Sequence, residues 1–362
     1  MNNQGNFEQF IAILINPTLG KSFSLAQWRD AILFFRHAKL LATLYYRIVE
    51  CDVDLYQSLP EKVRRHLYSA WVYAARQKLQ TDYEVRQLTT LLNASDVKPI
   101  FLKGAAYAAE GLNASNGRVM SDLDILVARD QLAEAEKAFV DDHWQVKPLS
   151  DYDEKYYREF AHEIPPLFNP ITETTVDLHH NLYLPISGRA PKIELFLART
   201  RETATDITVF EAEAMVLHSC IHLILNEDFS GALRDLFDIH LLCEEFDSAE
   251  FHTSLFELAK SAGLLLELYY CLALRAHVFK HRSPLLSKLE ALSVTKKLTT
   301  RFTLVLLKQA IVPAHFTTET WKRRLSRFAI YIRGHYLKMP LRRLSVHFLI
   351  KAYVGIFKRS AH

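Results

Sequence analysis

Asp122 and Asp124, separated by Leu123 and leading into Ile125-Leu126-Val127, are the residues of this chain best placed to do chemistry. Side chains of a strand alternate between faces, so these two carboxylates point the same way, roughly 6 to 7 Å apart along the chain. Paired acids at the mouth of an apolar run serve to hold positive charge, and the spacing suits Mg²⁺, a hard cation that takes oxygen ligands. Upstream, Phe101-Leu102-Lys103-Gly104 combines the end of a strand, a cation and the start of a helix. The free amides and positive dipole end of such a helix favour phosphate. A helix-length gap then leads to Arg118-Val119-Met120-Ser121, directly before the two acids.

The elements that must position these groups can be read from periodicity. Up to about residue 95, apolar residues recur at three- and four-residue spacing, which predicts helices over Ala26–Ala38, Leu40–Glu50 and Glu61–Leu92. Near Asp96-Val97-Lys98-Pro99 the texture changes to short β-like runs between helices. Strands are expected over Pro99–Leu102, Asp122–Val127, Trp144–Lys147, Glu163–Phe168 and Thr174–His179, the last two joined antiparallel by a turn at Asn169-Pro170. Helices are expected over Ala105–Leu112 and Asp130–Asp141 between them. They return over Ala212–Leu225, Ala232–Phe246, Ala249–Ala262 and Leu264–Phe279. The organisation is thus an N-terminal helical region (1–95), an α/β core (96–210) and a C-terminal helical region (211–362).

Composition limits the alternatives. The 362 residues are long enough for about two cores, and 49% hydrophobic with 23% charged residues is ordinary for a folded protein. No apolar run is long enough to span a membrane and the N-terminus lacks signal-peptide character, so a cytoplasmic location is expected. Cys51, Cys220, Cys243 and Cys271 are scattered without Cys-x-x-Cys pairs and are expected to be reduced and buried. His218 and His222 form His-x-x-x-His, but Ser219 stands where a metalloprotease needs Glu, so zinc is not assigned there. No Walker loop and no Gly-x-Gly-x-x-Gly occurs.

Leu-Lys-Gly at 102–104, then Arg118, then Asp122-x-Asp124 and a later Asp177-Leu178-His179-His180 together resemble the uncharacterised nucleotidyltransferase family of the polymerase-β-like superfamily. The resemblance extends over roughly Trp28 to Leu242, including Leu217-His218-Ser219-Cys220-Ile221-His222 and Arg234-Asp235-Leu236-Phe237-Asp238. It implies a polymerase-β-like α+β core with a small mixed sheet, flanked by helices. Ala105 stands where the wider superfamily usually has a serine or a second glycine after Gly104.

Nucleotidyl transfer needs the triphosphate's charge neutralised and an acceptor hydroxyl activated in line with leaving pyrophosphate, work suited to two Mg²⁺ ions. Asp122, Asp124 and Asp177 are the expected catalytic metal ligands, with Asp177 on the acceptor side helping to deprotonate the hydroxyl. Lys103, Gly104, Arg118 and Ser121 are the expected contacts to the nucleoside triphosphate. His179 and His180 are expected to pack, and Arg234, Asp235 and Asp238 to form structural ion pairs. The acceptor is open: a small molecule, a glycan precursor, a protein side chain or RNA. A toxin-like tRNA-modifying transferase is one alternative, and a non-catalytic nucleotide-binding scaffold that has lost the phosphate-binding serine is another.

Charge is unevenly spread. Between Trp321 and His362 lie eleven Lys or Arg and no acid, while the first 320 residues hold 33 basic against 41 acidic residues. The basic, aromatic tail 321–362, including Leu341–Arg359, suits an anionic membrane surface, RNA phosphates, or packing on the acidic body.

Overall fold

The computed structural model describes residues 3–146 and 149–338. Seven short strands form one mixed sheet: β1 (Ile100–Phe101), β2 (Leu123–Leu126), β3 (Gln145–Val146), β4 (Leu167–Phe168), β5 (Thr175–His179), β6 (Thr200–Glu202) and β7 (Thr208–Phe210). Their order is β3-β4-β5-β2-β1-β7-β6. β2 lies at the centre, antiparallel to β1 and parallel to β5. All four β2 residues are buried, so this strand reads as an apolar run interrupted only by Asp124. Helices before and after the sheet complete an α+β fold, and one apolar cluster runs from Phe7 to Leu337 through the sheet.

The helices before the sheet follow the apolar spacing. Those over Leu25–His37, Leu41–Cys51 and Glu61–Asn93 depart from the expected limits by one residue at most. The first opens on a capping box in which Ser24 and Gln27 satisfy each other's backbone amides. The long helix Glu61–Asn93 also braces the sheet: Glu84 accepts from the Thr174 hydroxyl at 2.9 Å, and Gln80 donates to the Thr172 carbonyl at 3.1 Å. These contacts hold the turn that feeds β5. Asn169 closes that turn by accepting from the amides of Ile171 and Thr172.

The strand expected over Glu163–Phe168 is not continuous. Only Leu167–Phe168 pairs with β5 as a strand, and Glu163 makes an isolated bridge to His179. Pro165 and Pro166 lie between them and have no amide to give a ladder. The β6–β7 hairpin is an element that periodicity did not reveal, because its three-residue strands are too short to show alternation. Cys51 is exposed rather than buried, while Cys220, Cys243 and Cys271 are buried; all are free. No helix among the described residues is long and apolar enough to cross a membrane.

At the C-terminal end, helix Trp321–Lys338 packs on helix Leu298–Ala310. It also approaches the 227 backbone so closely that a Cβ on Gly334 would lie 2.4 Å from Glu227 Cα. That contact places Lys338 beside Glu227, in the loop after the helix Ala212–Leu225, and the two pair. The segment 341–359 of the basic tail lies outside the described residues.

Candidate active site

β2 and β5 are parallel and in register, with Asp124 opposite Asp177 and Leu126 opposite His179. Register partners on neighbouring strands share a face at a strand separation of about 4.8 Å. The two acids, 53 positions apart in the chain numbering, are therefore neighbours because of a single pairing. Asp122 sits in the bend just before β2 and is exposed, whereas Asp124 is only 7% exposed. All three acids line one cavity of about 250 Å³ together with Lys103, His162, Glu163, His179, Tyr183, His222, Asn226 and Lys338. A larger apolar cleft of about 450 Å³ between the N-terminal helix and Val278–Lys280 contains no such cluster of acids.

Lys103 reaches Asp124 Oδ1 through Nζ at 2.8 Å. Leu102 still pairs with β2 by donating to the Asp124 carbonyl, so the chain must turn abruptly to start the helix Lys103–Glu110. Lys103 absorbs the turn at φ 46°, left-handed backbone that a residue with a Cβ adopts at a cost. The strained residue is the one whose charge enters the cavity. His179 Nε2 meets the same Asp124 oxygen at 3.0 Å, and its Nδ1 lies 3.4 Å from Glu163 Oε2.

Electrostatics separate the acids. Burial pushes the Asp124 carboxyl up, but Lys103 and His179 outweigh it and hold the group well below the usual carboxylate range. Burial also disfavours charge on Lys103 and on His179, yet their carboxylate neighbours prevail and raise both. Asp177 has no cationic partner of that kind: burial, then Glu163 and Asp124, push it up to about 7. The folded protein therefore holds a proton on Asp177 that the unfolded chain releases, and stability falls as pH rises from about 4 towards 7. Asp177→Asn should remove that slope and stabilise the metal-free protein by about 2–4 kcal/mol near pH 8, with little change near pH 4. Urea unfolding of both proteins in chelator at the two pH values measures this; equal stabilities near pH 8 would contradict it.

The remaining expected phosphate contacts are distributed differently. Arg118 is buried at 8% exposure, with Nε 3.0 Å from Asp238 Oδ2 and its guanidinium over the Tyr107 ring at 5.7 Å. Gly104 is buried beneath Met120; a Cβ there would lie 2.4 Å from the Met120 sulfur. Both support the floor of the site and neither lines its cavity. Ser121 donates to Asp122 at 3.2 Å and lines an adjoining cleft with Gln77, Gln80 and Glu84. Arg234 pairs with Asp235 at 2.8 Å, an ion pair within one helix, as expected. His218 is buried edge-on to Phe210, and His222 faces the cavity 3.6 Å from Asp235.

His179 and His180 do more than fill space. His179 bridges two acids, and His180 Nδ1 lies 3.2 Å from an Arg129 nitrogen. Five polar lining residues escaped the sequence reading: His162, Glu163, Tyr183, Asn226 and Lys338. Glu163 had a usable signal, since antiparallel pairing across the Asn169 turn brings its segment against His179. Lys338 had none, because it arrives on a helix far along the chain.

Hard oxygen donors on adjacent strands beside a fixed lysine have the chemistry to hold a divalent cation carrying phosphate, and a single mixed sheet flanked by helices is consistent with a nucleotidyltransferase fold. A family model described as uncharacterised nucleotidyltransferase matches residues 24–280, and the chain belongs to that family. It is accordingly a transferase of phosphorus-containing groups. No curated protein and no solved structure is matched.

Proposed function

We propose that the protein transfers a nucleoside monophosphate from a nucleoside triphosphate to an acceptor hydroxyl, using Asp122, Asp124 and Asp177. The observation that carries this reading is the β2–β5 register, which sets Asp124 beside Asp177 with Lys103 on the same cavity wall. The three carboxylates would hold Mg²⁺, which when bound neutralises phosphate charge and lowers the pKa of the attacking hydroxyl. Asp177 would sit beside the acceptor hydroxyl and help to deprotonate it. Lys103 exchanges its contact with Asp124 for the triphosphate, and Lys338 and Asn226 line the same cavity. Ser121 contacts phosphate from the rim, while Arg118 and Gly104 keep the floor in place. The test is incubation with Mg²⁺ and each labelled nucleoside triphosphate in cell extract. A labelled product and pyrophosphate are expected; their absence with folded protein would support the scaffold alternative.

A second observation bears on the acceptor. Helix Leu298–Ala310 exposes Leu298, Phe302 and Val305, and helix Trp321–Lys338 exposes Trp321, Leu325, Phe328, Ile332 and Tyr336. Both sets recur at helical spacing, so each helix turns a complete apolar stripe outward. Around them, residues 296–338 contain ten Lys or Arg and one acid, Glu319, and of these cations Lys296, Lys297, Arg301, Lys322 and Arg324 are exposed. Apolar anchors within a field of like positive charge suit an anionic bilayer surface, where each basic residue contributes about 1 kcal/mol. We propose that this face rests on such a surface, with the acceptor drawn from it. The full chain should float with vesicles containing phosphatidylglycerol and not with phosphatidylcholine alone. Phe302→Ser with Phe328→Ser should reduce the bound fraction about tenfold or more. Unchanged flotation of that variant, or binding of RNA in place of vesicles, would count against the proposal.

A further inference from the structure

Three donors that the proposed transfer does not use converge on one point of the cavity wall. Glu163 Oε2 lies 3.4 Å from His179 Nδ1 and 3.8 Å from His162 Nε2. One ligand atom from each of the three residues falls within 4.8 Å of the others, the sole such group among the described residues. Two ligands each about 2.0–2.1 Å from a tetrahedral zinc ion stand about 3.4 Å apart, so these separations are close to those of an assembled site.

The backbone holds the donors in place without any ion. His180 and Asn181 both donate to the His162 carbonyl, at 2.8 and 3.2 Å, and Ile164 donates to the Leu178 carbonyl at 3.1 Å. Pro165 and Pro166 then restrict the chain directly after Ile164. On the far side of His179, Nε2 contacts Asp124 Oδ1 at 3.0 Å. An imidazole that ligates through one nitrogen and donates to a carboxylate through the other is the usual support of a metal-bound histidine. His162 is the less supported imidazole, since its buried Nδ1 meets no protein partner among the described residues.

We infer that His162, Glu163 and His179 form a binding site for a transition-metal ion of borderline softness such as Zn²⁺. Two imidazoles and one carboxylate select Zn²⁺, Co²⁺ or Ni²⁺ over Mg²⁺ and leave a coordination position open towards the cavity. The site shares its cavity with the Asp122, Asp124 and Asp177 cluster but uses different donors, and meets that cluster through the Asp124–His179 contact and the charge of Glu163 near Asp177. A bound ion would fix that ring and so hold Asp124 in orientation; in this role His162 and Glu163 are positioning residues. The competing arrangement is a His179 ring protonated on both nitrogens, bridging Asp124 and Glu163 with no metal.

The full chain, stripped with chelator, is titrated with Zn²⁺ alone against a chromophoric competitor, and separately with Co²⁺ alone for its visible spectrum. One Zn²⁺ per chain and the intense bands of low-coordinate Co²⁺ are expected. His162→Gln and Glu163→Gln should each weaken Zn²⁺ binding by roughly tenfold or more, and Asp124→Asn by about 10–100-fold through the supporting contact. Asp122→Asn should leave Zn²⁺ affinity unchanged, which separates this site from the carboxylate cluster and its failure from failure of the transferase reading. Circular dichroism and the thermal midpoint of each metal-free variant establish that it is folded. Absence of Zn²⁺ binding in the native chain, equal binding in the folded His162→Gln/Glu163→Gln variant, or loss of binding in Asp122→Asn would each overturn the inference.

Discussion

Asp124→Asn is expected to lower Mg²⁺-dependent nucleotidyl transfer by roughly 10²–10⁴-fold, the scale on which single charged groups of transferase sites act. The reason lies in how many groups use one carboxylate. Its Oδ1 accepts from Lys103 at 2.8 Å and from His179 at 3.0 Å, and it faces Asp177 across the parallel pair. An amide keeps the shape and an acceptor oxygen but removes the charge on which the neighbouring cations and any bound ion depend. Substrate binding should suffer less than turnover, since Lys103 and Lys338 remain in the cavity. Steady-state rates with saturating Mg²⁺ measure this, and turnover within a few-fold of the native value would remove Asp124 from the mechanism.

The same substitution should cost about 2–3 kcal/mol of stability at neutral pH, because Lys103 and His179 lose a charged, buried partner. The sign follows from the depressed folded-state pKa of Asp124. A carboxyl of this kind stabilises the fold fully above its unfolded value of about 3.9 and loses that contribution as pH falls towards the folded value. The native protein and the Asp124→Asn variant should therefore differ at neutral pH and converge only in acid. Unfolding curves at a series of pH values provide the check.

The second large effect is on the floor of the site. Arg118→Ala is expected to destabilise the protein by about 3–5 kcal/mol, because it strands the buried Asp238. Burial already pushes the Asp238 carboxyl up to about 7 despite Arg118 and Arg234 beside it. Without Arg118 the group escapes by taking a proton, so the loss should be smaller near pH 6 than near pH 8. Asp238→Asn added to Arg118→Ala should recover part of it, and replacing both residues by apolar ones of similar volume should cost little. Denaturant unfolding measures these changes, and the KM for nucleoside triphosphate should stay near the native value in the folded protein. A large rise in KM at unchanged stability would return Arg118 to the phosphate ligands.

Arg118 illustrates why a residue's type and spacing mark it as important without saying what it does. It lies four positions before Asp122 and carries the charge a triphosphate would need, yet its partner is on the helix Ala232–Glu245. Nothing local to Arg118 encodes that pairing. Gly104 is similar: its lack of a Cβ is required, but the atom that would collide belongs to Met120. The alternative scaffold reading rested on Ala105, which is buried in the first turn of its helix, where the structure places it against the core.

By itself the sequence determined the helices with regular apolar spacing, the apolar strand that carries Asp124, and the family motif. These are properties of single segments, written in periods of 3.6 and 2 and in spacings of a few residues. Only the tertiary structure decided that Asp124 faces Asp177, that Glu163 crosses to His179 past two prolines, and that Lys338 enters from the last described helix. Each depends on register or on packing between segments far apart in the chain, and a one-residue slip of a strand would turn every one of its side chains to the other face.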